Sequence, residues 1–445
     1  MPPLHATMTE GRVSAQLRAL ALPMVWGLLA TMSFNVVDTF FVAQLGNKPL
    51  AAMSFTFPVV MVLTSIGIGL GAGTSSAVAR SVGAGAAHQA QRLATDAVTL
   101  TLFISVTVCA IGWFTINPLF TLLGASAELL PFIHQYMSIW YFSAPCLLVP
   151  MVALASLRAM GLSRIQGSLM GAAAVFNALL DPLLIFGLWG FPRLELAGAA
   201  WATLITRGLT LLVALYILRA RVGLLTSPFA SRSAIAESWR SIVHVGLPAM
   251  ASNIIIPLAS GIVVMMVARY GTDAVAGMGI AVRIEPLALI AFYALSGVVG
   301  PFFGQNHSAG LTSRLIQAQK VLTGFCLGFG ALLTLILWLL GGPIVQLFTD
   351  HTEVATVAML YLSIVPFSYG AYGLVMSVNA AFNGLGNPWP AMLLSVSRVL
   401  LLFLPLAWAL QQLWGLNGLF IATALTNIVV GGWAWWWLQG RVRKG

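Results

Sequence analysis

The stretch LALPMVWGLLATMSFNVVDTFFVAQLG, residues 20–46, contains one charged residue, Asp38. An apolar run longer than about 18 residues reads as a membrane-spanning helix. Hydrocarbon offers the backbone no water, so the helix must close its own hydrogen bonds. A carboxylate inside such a helix is costly. It faces a cavity, finds a partner or takes up a proton, which makes Asp38 a candidate functional residue.

The same pattern recurs along the chain. Of 445 residues, 59% are hydrophobic and 7% are charged, and the mean hydropathy is +0.95. The apolar runs are continuous, unlike the short alternating strands of a membrane β-barrel. The predicted fold is all-α and polytopic. Its twelve spans are placed near 17–45, 49–79, 92–116, 130–157, 164–188, 195–218, 240–270, 273–304, 314–340, 354–381, 388–411 and 415–438. The longest polar connection, 219–239, separates an N-lobe (1–218) from a C-lobe (240–445), and reads as a cytoplasmic linker. No cleavable signal peptide is read at the start, and the first span is expected to serve as the insertion signal.

The net charge of +10 reflects loops rather than nucleic-acid binding. Arg12, Arg18, Arg80, Arg92, Arg158, Arg164, Arg219, Arg221, Arg232, Arg240, Arg314, Lys320, Arg441, Arg443 and Lys444 fall at the termini or in even-numbered loops. Only Lys48, Arg193 and Arg269 fall in odd-numbered loops. The positive-inside rule then puts both termini in the cytoplasm of a bacterial-type inner membrane. Cys109, Cys146 and Cys326 lie in apolar segments without metal-ligand spacing and read as small core residues.

The two halves repeat. A shift of 225 carries Leu22-Pro23 onto Leu247-Pro248, Gly46 onto Gly271, Tyr136 onto Tyr361 and Gly161 onto Gly386. The shift becomes 220 where GAAWATLIT (198–206) meets GLFIATALT (418–426). Each half has six spans, so the repeats are parallel, as in alternating-access transporters. FNALLDPLLIFG, 176–187, supplies a second intramembrane acid, Asp181. Under the shift Asp38 meets Val263 and Asp181 meets Leu406. The acids therefore read as a task added to one lobe, not as shared scaffold.

Helical rise puts these groups at one level. Asp38 stands about 30 Å beyond Arg18, and Asp181 about 25 Å beyond Arg164, from the same side. Thr203 stands about 12 Å from Glu195, descending from the other. Asn177 and Asp181 are spaced i,i+4 and share a helix face. Burial disfavours a charged carboxyl and a second acid nearby does so further, so such a pair can share a proton. Pro23 and Pro182 each lack an N–H and clash with a preceding carbonyl, so a bend is predicted at each. Met32, Phe34, Phe41, Met53 and Met61 are candidates for an adaptable cavity. Arg207, Arg283, Glu285 and Arg398 read as structural buried charges, with substrate contact as the lesser reading and Glu285 able to meet Arg398 or Arg207.

With these motifs, and with SLRAMGLSRIQ (156–166) echoed by AAFNGLGNPWP (380–390), the chain resembles the multidrug and toxic compound extrusion (MATE) family. Within that family it resembles the DinF-like branch. The resemblance implies two six-helix lobes and export of drug-like cationic or amphipathic compounds by exchange for a cation. It implies that Asp38, Asp181, Asn177 and Thr203 form the N-lobe cation site and that Pro23 bends the first helix. The acids of spans seven and ten that mark the NorM-like branch have no match here.

The expected function is proton-coupled efflux through Asp38 and Asp181, by a monomer in a lipid bilayer, with no enzyme activity, cofactor, metal or nucleic-acid partner. Sodium coupling is the alternative, because a carboxylate, an amide and a hydroxyl also suit Na+. A lipid-linked substrate flippase shares the architecture. An intramembrane aspartyl protease is disfavoured, since VVDTF and LLDPL lack a glycine-flanked aspartate.

Overall fold

The computed structural model describes residues 6–444. Among these residues it is built from helices. The N-terminal half contains α1 (Val13–Ala43), α2 (Asn47–Gly83), α3 (Ala87–Phe114), α4 (Leu130–Ala159), α5 (Ser163–Phe186) and α6 (Leu196–Arg221). The C-terminal half contains α7 (Arg232–Ala268), α8 (Thr272–Ala288 and Ile290–Ser308, bent by 46°), α9 (Thr312–Gln346), α10 (Thr352–Gly384) and α11 (Trp389–Arg443). Fifty-five residues of α11 would extend about 80 Å at 1.5 Å per residue, against a hydrocarbon core of about 30 Å. At Gly415 its backbone leaves helical geometry (φ 58°, ψ −135°). Divided there, α11 supplies two crossings, and the count reaches the twelve that hydropathy predicts.

The outer surface is apolar. Trp26 is 70% exposed and Leu339 70%, as expected of side chains that meet lipid instead of water. Hydroxyls in these helices bond backward to their own backbone: Thr31 to the carbonyl of Gly27, Thr64 to Val60 and Thr74 to Leu70. That satisfies polar groups that lipid cannot.

The chain forms two compact units. One holds residues 6–7 and 22–250, and the other holds 8–21 and 251–444. Of the three cuts, one lies just before α1, and the other two fall inside long helices, α1 and α7, near the Leu-Pro pairs that the 225 shift superposes. The 219–239 segment belongs to the first unit. Arg92 of α3 anchors it: Nε donates to Asp96 Oδ2 at 2.7 Å, and Nη1 donates to the carbonyl of Ser227 at 2.9 Å. Gln91 Nε2 donates to the carbonyl of Gly223 (2.8 Å), and Trp239 Nε1 to that of Asp96 (3.1 Å).

The repeat appears in backbone torsions. Gly46 (φ 114°) and Gly271 (φ 100°) occupy the same place before α2 and α8. At the 220 shift, Glu195 (φ 50°, ψ −127°) precedes α6 as Gly415 precedes the last crossing.

Pro23 and Pro182 lie inside unbroken helices, α1 and α5. At Pro23 the two helices touch backbone to backbone. A Cβ on Gly167 would sit 2.2 Å from the Pro23 carbonyl oxygen, and one on Gly27 3.0 Å from the Gly167 Cα. Small residues permit this approach, which is how membrane helices gain packing energy.

Candidate functional site

The α1–α5 crossing fixes two helices that carry acids. Asp38 follows Pro23 by 15 residues on α1, and Asp181 follows Gly167 by 14 on α5. Asp38 is 5% exposed and Asp181 fully buried. Each lies within electrostatic range of the other.

Asn177 and Thr203 are buried as well. Asn177 Nδ2 donates to Thr206 Oγ1 at 3.3 Å, which ties α5 to α6. Thr206 is one turn beyond Thr203, a spacing visible in GAAWATLIT but not singled out from sequence. Asp38 Oδ1, both Asp181 carboxylate oxygens and Asn177 Oδ1 are buried and receive no hydrogen bond among the described residues. These are four acceptors without donors. Native interiors rarely leave one so, because an unpaired buried polar atom costs about 1–3 kcal/mol. A proton bound to a carboxylate converts an acceptor into a donor, and a small cation would be coordinated by several such oxygens.

Two groups from outside the predicted set complete the electrostatics. Tyr136 of α4 is buried and lies in range of Asp38, Asp181 and Arg207. Arg207 of α6 lies in range of Asp38. No ion pair joins Arg207 to either acid within 4.0 Å among the described residues. It is held back by Ser143, whose Oγ accepts from Nη1 at 3.0 Å, and by the Trp140 ring, 5.3 Å from its guanidinium carbon. Sequence reading left Arg207 as a structural charge, because its neighbours come from other helices.

The cavity candidates separate into two groups. Phe41 meets Phe186 edge to face at 6.1 Å, and with Met53 it packs on the buried cluster around Phe120, Met137 and Trp140. Met32, Phe34 and Met61 are half-buried. Arg283 is exposed, and Glu285 takes its hydrogen bond from the Tyr361 hydroxyl instead of from an arginine.

Comparison with known proteins gives the family. The MatE family profile matches residues 23–183 and again 248–409, two copies starting 225 residues apart. The chain is 38% identical to the FAD transporter of Shewanella oneidensis over 412 residues, covering 93% of this chain and 91% of that protein. It is 23% identical to the multidrug export protein MepA of Staphylococcus haemolyticus, covering 94% and 92%. Among solved structures it resembles the Vibrio cholerae MATE transporter VcmN as an aspartate-to-asparagine mutant (TM-score 0.93, 31% identity, 97% of this chain and 98% of that one). VcmN in a bent form gives a TM-score of 0.92 at 32% identity, covering 97% of each chain. Two copies of the family pattern over most of the chain, with a 38% identical relative and solved transporters of the same fold, make this chain a member of the MATE family, a multi-pass membrane transporter and not an enzyme.

Proposed function

We propose that the protein is a proton-coupled efflux antiporter of the DinF-like branch, working through the cluster of Asp38, Asp181, Asn177, Thr203 and Arg207. The observation that carries this reading is the set of undonated oxygens in electrostatic range of a half-buried arginine. With both acids ionised and Arg207 charged, the cluster holds one net negative charge, and one proton neutralises it. A proton drives a conformational change only by binding one state better than the other. The α1–α5 contact at Pro23 supplies the lever: α1 carries one acid, α5 the other, and Pro23 weakens the α1 ladder beside their crossing. The bent form of the relative VcmN is in keeping with a helix that changes shape.

The transporter works as a monomer in the bacterial inner membrane with both termini cytoplasmic, and no cofactor takes part. The exported compounds are amphipathic. The multidrug export relatives favour drug-like compounds, and the 38% identity to a named FAD transporter favours flavin nucleotides as a second reading.

Proteoliposomes with pH and sodium gradients imposed separately test the coupling. A pH gradient should drive transport in the wild type, a sodium gradient should not, and Asp38→Asn and Asp181→Asn should each lose the pH-driven component. Full pumping by Asp38→Asn would end the assignment, and sodium-driven transport would replace the proton with Na+.

A further inference from the structure

The second unit has no counterpart of the acid pair, yet it retains a polar centre. At the repeat position of the Arg207–Ser143 bond, Asn427 Nδ2 donates to Ser368 Oγ at 3.0 Å. The amide has replaced the arginine at the 220 shift. The cation returns as Arg398 on the other crossing of α11, before the break at Gly415, within a π-helical segment, Ser397–Phe403. Such wide turns often mark functional positions.

Arg398 is underused by the protein around it. One guanidinium N–H donates, from Nη1 to Asn427 Oδ1 at 3.3 Å. The guanidinium carbon lies 4.7 Å above the Tyr372 ring. No carboxylate lies within 4.0 Å of it among the described residues. Glu285 is in electrostatic range, but its hydrogen bond comes from Tyr361. A guanidinium has five N–H donors in a planar fork suited to phosphate, and among the described residues four of these make no hydrogen bond.

Between the two charged groups lies a cavity of about 200 Å³. Tyr293, Phe403, Phe420 and Thr423 contribute to its wall along with Arg398 and Glu285. An engineered apolar cavity of about 150 Å³ holds benzene, so this one has room for an aromatic ring. Aromatic walls bind flat π-faces. Glu285 can accept from a ring N–H, and Arg398 can donate to an anionic arm. An intramembrane charge that faces a cavity without a paired partner is a ligand-site candidate.

We propose that this cavity in the C-terminal unit binds a planar heteroaromatic ring bearing a phosphate arm, with the arm on Arg398 and a ring N–H on Glu285. The proposal rests on the flavin-nucleotide reading of the substrate and is independent of the coupling ion.

Equilibrium binding to the purified full chain in detergent, at one pH and without a gradient, tests it. The probe is flavin mononucleotide, followed by its fluorescence, with riboflavin as the uncharged control. The wild type should bind flavin mononucleotide at least tenfold more tightly than riboflavin. Arg398→Gln should erase that difference, Arg398→Lys should restore part of it, and Thr423→Phe, which fills the cavity and leaves Arg398 in place, should weaken both ligands. Thermal unfolding of each variant reports its fold. Should Arg398→Gln fail to fold, Arg398→Lys and Thr423→Phe decide the matter. Equal binding of the two flavins by the wild type, or unchanged flavin mononucleotide binding in folded Arg398→Gln or Thr423→Phe protein, would overturn the site. Because no gradient is present, that outcome leaves proton coupling by Asp38 and Asp181 standing. Loss of pH-driven transport in the Asp38→Asn protein leaves the flavin site standing in turn.

Discussion

Glu195 occupies a backbone conformation that L residues rarely adopt (φ 50°, ψ −127°), where the repeat has Gly415 in nearly the same torsions. Its side chain is 60% exposed, and its nearest ion-pair partner, Arg193, lies 3.4 Å away at the surface. A surface pair of that kind contributes little, while the strained φ costs on the order of 1–3 kcal/mol. Glu195→Gly is therefore expected to stabilise the protein by roughly 1 kcal/mol, after the added freedom of the unfolded chain is subtracted. A rise in the thermal unfolding midpoint in detergent would show it, and a fall would mean that the loop before α6 needs this side chain. The same scale holds the logic of the acids. Asp38 and Asp181 are costly where they sit, and their repeat positions, Val263 and Leu406, show that the scaffold does not need them.

The contact between α1 and α5 belongs to the scale of elements. Gly167 lies so close to the Pro23 carbonyl that no Cβ fits without backbone movement. Overpacking of this kind costs about 1–3 kcal/mol. Gly167→Val should push α1 from α5, lower the unfolding midpoint and reduce pH-driven efflux together, because the two acids ride on these helices. Efflux and stability equal to the wild type would show that the crossing does not set the spacing of the acids. Hydropathy located both helices to within a few residues. It could not show that they meet at Gly27 and Gly167, since a glycine in a lipid-facing stripe reads the same as one in a contact.

At the scale of the whole molecule, Arg314 organises the start of the chain within the second unit. Its guanidinium donates to the carbonyls of Gly11 (2.6 Å), Met8 (3.1 Å) and Glu10 (3.2 Å), and to Gln16 Oε1 (2.9 Å). Met8 is 1% exposed, and its N–H donates to Gln305 Oε1 at 3.0 Å. Arg314→Ala should release this segment at a cost of about 1.5–3 kcal/mol, the range for a hydrogen bond involving a charged group. Hydrogen exchange over residues 8–16 should speed up while the amides of α9 stay protected. Unchanged exchange over 8–16 would show that Met8 and Gln305 suffice. Arg314 and Arg92 both counted as loop charges that orient the helices. The structure gives each a second task, one holding residues 8–16 and the other the 219–239 segment.

What the sequence determined by itself is whatever repeats or runs along the chain: helical spans, their number, the 225-residue repeat, and two acids out of place in hydrocarbon. These are legible because hydropathy and helical rise are local properties, and a constant offset survives without any contact. What the tertiary structure decided is which side chains meet. Asn177 and Thr206 are 29 residues apart, Arg92 and Ser227 are 135 apart, and Arg398 leans over Tyr372 from another helix. No periodicity encodes such meetings. They follow from how helices cross, and crossings are set by small residues and shape at a few points, whose identity in sequence is only glycine or alanine among many.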